Sequence, residues 1–347
     1  MKLSTLKTVC ASAALLAPLL ALGDAAHAST DLGVVKTYLL NQVAIQKAAT
    51  ARLSTAAASY YSAARAAGFD YDKLAAPAVR KTLLEARAAW IAASPSYESV
   101  EGIVAGVELL AIFDVDLDAG ASKADGGDGI VSFDLKLPNG RLLEKPGNLF
   151  GITESTLWGT EKSYSSGKAF DVDGNGQLGF GDLLPEANVL QAAAAKLDEI
   201  TGQLIATGKT WQPTTKDVVS ALQANVPTAA NVFVERWKAS RFVLGDKSKS
   251  RDFNVISSLN DLEQNIGSWK TLYGGLSGAV KPKNAGLDSQ ITAGLEGLKT
   301  WVVKLQAQER VKRFTPEQAE IIAKEAQNRA TAIVGKINQA AALLGVK

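Results

Sequence analysis

Apolar residues recur at intervals of three and four positions over long stretches at both ends of this 347-residue chain. One stripe steps by four, three, four and three residues through Ile291, Leu295, Leu298, Val302 and Leu305. This spacing places apolar side chains on one face of an α-helix. A similar stripe runs from about residue 31 to residue 68. The pattern predicts an all-α fold of two antiparallel helical bundles.

Helix-start signals divide these stretches further. Pro77 opens a second helix, and Ser94-Pro95 has the form of an N-cap followed by proline, which predicts a third helix reaching about Phe113. Thr214 is a candidate N-cap of a later helix. Thr315-Pro316-Glu317-Gln318 has the form of a capping box and predicts the start of the last helix.

The middle of the chain has a different composition. Residues 119–185 are rich in glycine, and Asn139-Gly140 lies between two apolar segments, which is a strong hairpin signal. We therefore expect a first helical bundle over 29–118 and a second over 186–347. The segment 119–185 is predicted to be an irregular insertion with one short β-hairpin.

The first 28 residues have the organisation of a secretory signal peptide. Lys2 and Lys7 precede the apolar run Ala11–Leu22, and Ala26-His27-Ala28 is a small-x-small cleavage site. The run is too short to span a bilayer, and no later stretch is long and apolar enough to do so. We expect cleavage after Ala28 and export to the periplasm, with no transmembrane segment.

Cleavage there would remove the only methionine, cysteine and histidine, which are Met1, Cys10 and His27. A mature chain without thiol or imidazole excludes Ser-His-Asp catalysis and His-ligated zinc. Any metal must then be bound by oxygen, which leaves calcium, magnesium, manganese or ferric iron. Removing Lys2, Lys7 and Asp24 leaves a net charge of +1, so nucleic acid is not an expected partner.

Residues 171–182 match the twelve-residue calcium loop of an EF-hand. The expected ligands are Asp171, Asp173 and Asn175 at positions 1, 3 and 5, the Gln177 carbonyl at 7 and Asp182 at 12. The sequence departs from the pattern in having aspartate instead of glutamate at position 12 and glycine at position 9. We predict a structural Ca²⁺ site. The alternative is an Asp/Gly/Asn-rich surface turn that binds nothing.

A second group of carboxylates lies around the predicted third helix. Glu101 and Glu108 are seven residues apart in an apolar stretch, which predicts that they share one helix face, and Asp114, Asp116 and Asp118 follow. Carboxylates in such a stretch are usually paired or bind an ion. Glu101, Glu108 and Asp114 are thus candidate ligands of a second site, for Fe³⁺ or another hard cation. The alternative is ion pairing, for which the candidate partners are Arg87, Arg236, Arg241 and Arg251.

Several segments resemble the imelysin family, and together they span most of the chain. They are Ala86-Arg87-Ala88-Ala89-Trp90 with Tyr97 and Glu101, Glu235-Arg236-Trp237-Lys238 with Ser240-Arg241-Phe242, Ile256 to Asp261 with Asn265, Ile266 and Trp269, and Arg313-Phe314-Thr315-Pro316-Glu317. The resemblance implies two related helical bundles. It also implies a periplasmic or cell-surface location, since the family includes a metallopeptidase-like member and the periplasmic partner of an iron-uptake system.

One departure from the family decides what the resemblance implies about activity. The family signature is Gly-x-His-x-x-Glu, but if Gly102 is its glycine, Val104 and Val107 replace the histidine and glutamate. Peptidase activity is therefore not implied. We expect a non-catalytic, calcium-binding periplasmic protein associated with metal or iron uptake, with a periplasmic or membrane partner. The alternatives are an interaction protein that binds a partner or polysaccharide through the insertion, and a carboxylate-dependent hydrolase.

Overall fold

The computed structural model describes residues 30–74, 76–122 and 133–346, so the predicted signal peptide lies outside the described residues. The long helices are α1 (Gly33–Ala66), α3 (Pro77–Val104), α6 (Ala187–Thr210), α7 (Thr215–Asn225), α10 (Ser258–Val280), α11 (Ala285–Val311) and α12 (Pro316–Leu344). The shorter helices are α2 (Tyr71–Leu74), α4 (Ala111–Asp114), α5 (Leu149–Trp158), α8 (Glu235–Ala239) and α9 (Arg241–Leu244). The all-α fold class is confirmed.

The predicted helix signals at both ends of the chain act as expected. Gly68 follows α1 with φ +66°, a conformation that glycine adopts without strain. Thr214 and Thr315 each form a capping box, with Asp217 and Gln318 respectively. The stripe from Ile291 to Leu305 is buried along α11.

The prediction of a separate helix starting at Ser94-Pro95 was wrong. Helix α3 runs without a break from Pro77 to Val104 and carries Pro95 in its interior. A proline there removes one backbone hydrogen bond, and the burial of Trp90 and Tyr97 on either side of it offsets that cost. The helix also ends earlier than expected, because the chain from Ala105 to Leu110 forms turns.

Helix α3 is the centre of the packing. It contacts α1 on one side and α10 on the other, while α1 also packs against α6, and α10 packs against α11. One continuous apolar core includes buried residues from α1 through α12. Gly102 and Gly106 allow this close packing, because a Cβ at Gly102 would lie 2.3 Å from Ser268 Oγ and one at Gly106 would lie 2.4 Å from Ala221 Cα.

The central insertion contains two small antiparallel sheets. The first pairs β1 (Leu135–Lys136) with β2 (Leu142–Leu143) around Asn139-Gly140, where the sequence predicts a hairpin. The second pairs β3 (Ser165–Ala169) with β4 (Leu183–Pro185) and encloses the predicted calcium loop. Between them lies α5, a helix that the sequence analysis did not predict and whose residues are all buried.

Within the described residues, no helix combines the length and the apolar character needed to cross a membrane.

Candidate metal centres

Seven carboxyl groups meet where α3, α5 and α10 pack together, and we refer to them as the buried acidic cluster. They are Glu98, Glu101, Asp114, Asp118, Glu154, Asp252 and Asp261. Asp118 is central, because it interacts electrostatically with each of the other six. The cluster therefore collects residues from five separate segments of the chain.

Three members of the cluster have the spacing of a metal site. One oxygen each from Glu98, Glu101 and Asp118 lie within 4.8 Å of one another. The amide of Asn265, on α10, donates to Glu98 Oε2 at 2.9 Å and to Glu101 Oε2 at 2.5 Å. Glu98 and Glu101 are one helical turn apart on α3, so their side chains leave the helix on the same side. This arrangement can offer converging oxygens to a hard cation.

A π-helical turn sets the position of Asp118. The turn spans Val115–Ala119 directly after α4, and Gly120 N donates to Val115 O across five residues. Such a turn widens the helix locally and is common at functional sites. It brings Asp114 and Asp118 to the same buried region. Tyr97 Oη donates to Asp114 Oδ1 at 2.7 Å and holds that carboxyl group in place.

Arg236 is the guanidinium that faces this cluster. Its Nη1 lies 3.7 Å from Asp118 Oδ2, and its Cζ lies 3.6 Å from the centre of the Phe253 ring. Burial would lower the pKa of Arg236, but the surrounding carboxylates, Asp118 first, raise it above its usual value. Arg251 acts on Asp252 electrostatically, but its own ion pair is with Glu161. Negative groups thus outnumber positive ones by a wide margin.

Burial dominates the ionisation of the cluster. It raises the pKa of Glu98, Asp114 and Asp261 well above their usual values, and neighbouring carboxylates act in the same direction. The pKa of Glu101 rises to about 7 and that of Glu154 to about 8, with desolvation as the main cause in both. A buried carboxylate is stable only if it is protonated, paired or bound to an ion.

The cluster also contains polar atoms whose hydrogen-bonding capacity is unused within the described parts of the chain. Asp118 Oδ2 and Asp261 Oδ1 accept no hydrogen bond, although both residues are almost fully buried. The Trp90 indole N–H has no acceptor either, and Trp90 lines a small cavity together with Asp118 and Asp261. Orphaned buried oxygens of this kind usually mark a bound ion or water.

The predicted calcium loop is a compact turn at the tip of the β3–β4 hairpin. Asp171 Oδ1 accepts from Gly174 N and Asn175 N at 2.7 and 3.1 Å, and Asp182 accepts from Val172 N and Gly179 N. One oxygen each from Asp171, Asp173 and Asp182 lie within 4.8 Å of one another. Of these residues Asp182 is buried and Asp173 is exposed. The sharp turn of the loop rests on Gly174 and Gly176, whose φ angles are +79° and +82°.

Arg80 and Arg87 attach this loop to α3. Arg80 Nε donates to Asp171 O at 3.0 Å, and its Nη2 lies 3.6 Å from Asp171 Oδ2. Desolvation would raise the pKa of Asp171, but the N–H groups of Gly176 and Gly174, followed by Arg80, lower it below its usual value. Arg87 donates to the carbonyls of Leu157 and Gly181. Burial lowers the pKa of Arg87 to about 10, against the opposing effect of Asp182 and Asp173.

The predicted residues of the second site are only partly brought together. Glu101 and Asp114 lie in the buried acidic cluster, but Glu108 is exposed in the turns that follow α3. The expectation that Glu101 and Glu108 share a helix face was wrong, because the helix ends at Val104 between them. Asp116 faces Lys196 instead of the cluster.

Two of the predicted arginine partners also lie elsewhere. Arg87 contacts the calcium loop, and Arg241 pairs with Asp246 at 3.0 Å and lies 4.1 Å from the centre of the Phe180 ring. Among the candidate arginines, Arg236 is the one that pairs with the cluster, through Asp118. The sequence analysis missed Glu98, Glu154, Asp252 and Asp261 as site residues. Only Glu98 carried a local signal, because it precedes Glu101 by one helical turn.

Comparison with known protein families gives one match. The model of the imelysin family, a family described as peptidase M75, matches residues 35–344. No curated protein matches the chain.

Proposed function

The chain belongs to the imelysin family, and on that premise we propose that it is an exported, non-catalytic protein that binds a hard metal ion in connection with iron uptake. The buried acidic cluster is the proposed ion site. Its direct ligands would be Glu98, Glu101 and Asp118. A periplasmic or membrane uptake partner would then receive the ion.

One observation carries the proposal: among the described residues, seven carboxyl groups, five of them buried and two half-buried, face the half-buried guanidinium of Arg236. Breaking the charge balance of a buried group costs several kcal/mol unless a proton or a cation compensates. A multivalent cation would offset several of these charges at once. It would also bind the oxygens of Asp118 and Asp261 that accept no hydrogen bond within the described residues.

The donor set supports oxygen-seeking cations. The closest ligand atoms are carboxylate oxygens, which suit calcium, magnesium, manganese and iron in preference to softer metals. If Gly102 is the glycine of the family signature, Val104 and Val107 stand where that signature has histidine and glutamate. A protein without the signature histidine and glutamate still has other carboxylates that can bind an ion. It does not have the imidazole on which the proposed peptidase chemistry of the family depends. For this reason we propose binding instead of hydrolysis.

Calcium in the loop of residues 171–182 is the second part of the proposal. The acidic side chains at positions 1, 3 and 12 already converge, and the backbone turns at Gly174 and Gly176 as an EF-hand loop requires. Leu178 at position 8 is 66% exposed, so within the described residues no partner loop packs against it as one does in a paired EF-hand sensor. A structural role that fastens the β3–β4 hairpin to α3 fits this geometry better than signalling.

Metal analysis of protein purified from the periplasm tests the proposal. Calcium-saturated protein would then be titrated with Mn²⁺ in a calorimeter, and separately with ferric iron supplied as citrate. We expect one further equivalent of a hard cation beyond calcium. Calcium-saturated protein that takes up neither Mn²⁺ nor iron would overturn the ion-binding function.

A further inference from the structure

Two small cavities that share part of their walls lie beside the buried acidic cluster, and we call the one bordered by Arg251 the outer cavity and the other the inner cavity. The outer cavity has a volume of about 20 Å³ and is bordered by Ser122, Asn148 and the partly exposed Arg251. The inner cavity has a volume of about 10 Å³ and is lined by Asp118, Asp261 and other residues. The inner cavity is therefore bordered by the two carboxylates that each have an oxygen accepting no hydrogen bond within the described residues.

The two cavities share Gly151 and Asp252 in their walls. Gly151 lies in the first turn of α5, where its N–H donates to the N-cap residue Asn148 at 2.7 Å. A Cβ built at Gly151 would lie 2.6 Å from Asp252 Oδ2 and 3.0 Å from Asn148 Oδ1. Even one methyl group would thus crowd the junction between the cavities.

We propose that the junction of Gly151 and Asp252 is the entry route of the buried acidic cluster, and that it admits a single uncomplexed cation. This inference rests on the proposed function, and it names the form in which the ion arrives. Chelated iron, haem and peptides would be excluded. A partner that delivers or collects the ion would have to exchange it free of any chelate.

The size of the cavities supports this restriction. A cavity needs roughly 10–15 Å³ of probe-occupied volume to hold one water molecule, so the outer cavity, at about 20 Å³, accommodates one or two particles of that size and the inner cavity, at about 10 Å³, one at most. A bare or partly hydrated cation is in this range, whereas a hexadentate chelate is many times larger.

The chemistry of the walls supports it as well. The walls carry carboxyl groups that become more buried toward the cluster. Asp252 at the junction is half-buried, and Asp118 and Asp261 in the inner cavity are buried. Electrostatic attraction then directs a cation inward, and the same residues disfavour anionic chelates.

Binding kinetics of Gly151→Ala test the route. Mn²⁺ would be mixed with the calcium-saturated protein in a stopped-flow instrument, with quenching of tryptophan fluorescence as the readout, since Trp90 lines the inner cavity. We expect association and dissociation to slow together by at least tenfold while the affinity changes less than twofold. The matched control is Gly274→Ala on α10, where a Cβ meets no atom of the described chain within 4 Å.

Two further measurements test the entry route if Gly151→Ala folds poorly. Asp252→Asn keeps the size of the side chain at the junction, and we expect slower Mn²⁺ association than in wild type. Ferric iron held in a hexadentate chelate should produce no quenching. Wild-type rates in both variants, or quenching by the intact chelate, would overturn the route. Absence of Mn²⁺ binding by the wild type would instead overturn the proposed function.

Discussion

Arg236 Nη1 lies 3.7 Å from Asp118 Oδ2, and the two side chains form an ion pair at the centre of the acidic cluster, in which Asp118 is buried and Arg236 is half-buried. A π-helical segment lies at or next to each of them: Asp118 lies within the one at Val115–Ala119, and Arg236 comes just after the one at Ala229–Val234. The pair joins the first half of the chain to the second. The guanidinium of this pair already neutralises part of the negative charge of the cluster, and a bound cation would neutralise more of it.

Removing the guanidinium should destabilise the protein strongly. We expect Arg236→Met to lower the free energy of unfolding by about 3–5 kcal/mol, because breaking a buried pair leaves the remaining carboxylates uncompensated. Arg236→Lys keeps the charge but loses the stacking on Phe253 and should lose less. Urea denaturation at pH 7 with a chelator present measures both. A loss below about 1 kcal/mol for Arg236→Met would show that protons alone neutralise the cluster.

The sequence predicts the helices better than it predicts this cluster. Periodicity and capping residues such as Thr214 and Thr315 are local signals, and the structure confirms them. The helix start predicted at Pro95 was wrong, because the burial of the neighbouring side chains overrides the usual effect of proline on a helix. Helix α5 carries no amphipathic stripe, since it is buried on all sides and so lacks the pattern on which the prediction relied.

The sequence did not predict most members of the buried acidic cluster, for a different reason. Glu101, Asp114 and Asp118 stand close together in the sequence, but Glu154, Asp252 and Asp261 come from α5, a loop and α10. No spacing rule connects these segments, because only tertiary packing brings them together. The calcium loop is the opposite case. Its proposed ligands lie within twelve consecutive residues, so the spacing alone predicts a site there, and calcium binding by the loop stays a prediction.

Glu101 and Glu108 provide a matched pair of variants for the ion site. Glu101→Gln should weaken Mn²⁺ binding at least tenfold, since it removes a charged ligand atom from the group formed with Glu98 and Asp118. Glu108→Gln removes the same charge from an exposed position and should leave the affinity unchanged. Calorimetric titration compares them. Equal effects of the two substitutions would place the ion outside the cluster.

The metal-free protein should become less stable as the pH rises. The pKa values of Glu101 and Glu154 are about 7 and about 8 in the folded state, above the ordinary 4.5. Between pH 4.5 and these values the folded state holds protons that the unfolded state has released. Its stability therefore falls as the pH increases across this window, by up to about 1.4 kcal/mol per pH unit for each group.

Melting temperatures recorded with a chelator from pH 5 to pH 8.5 measure this dependence. Glu154→Gln should flatten the curve, whereas Glu108→Gln should leave its slope as in wild type. A melting temperature that is constant or rises with pH in the metal-free wild type would contradict the ionisation described for the cluster.

Arg80 should compete with calcium at the loop. Its guanidinium lies 3.6 Å from Asp171 Oδ2 and already neutralises part of the negative charge that would bind the ion. We expect Asp171→Asn to abolish the calcium-dependent rise in melting temperature and Arg80→Gln to strengthen calcium binding. Lys81→Gln is the control, because Lys81 is exposed and pairs with Glu85. Weaker calcium binding in Arg80→Gln would show that Arg80 supports the loop instead of competing with the ion.

The central claim is that the buried acidic cluster holds a hard cation, and anomalous diffraction from crystals grown with Mn²⁺ and Ca²⁺ tests it most directly. The account predicts a manganese peak within about 2.5 Å of oxygens of Glu98, Glu101 and Asp118. A map at high resolution that shows manganese only in the loop of residues 171–182, with water or direct hydrogen bonds among the buried carboxyl groups, would contradict it.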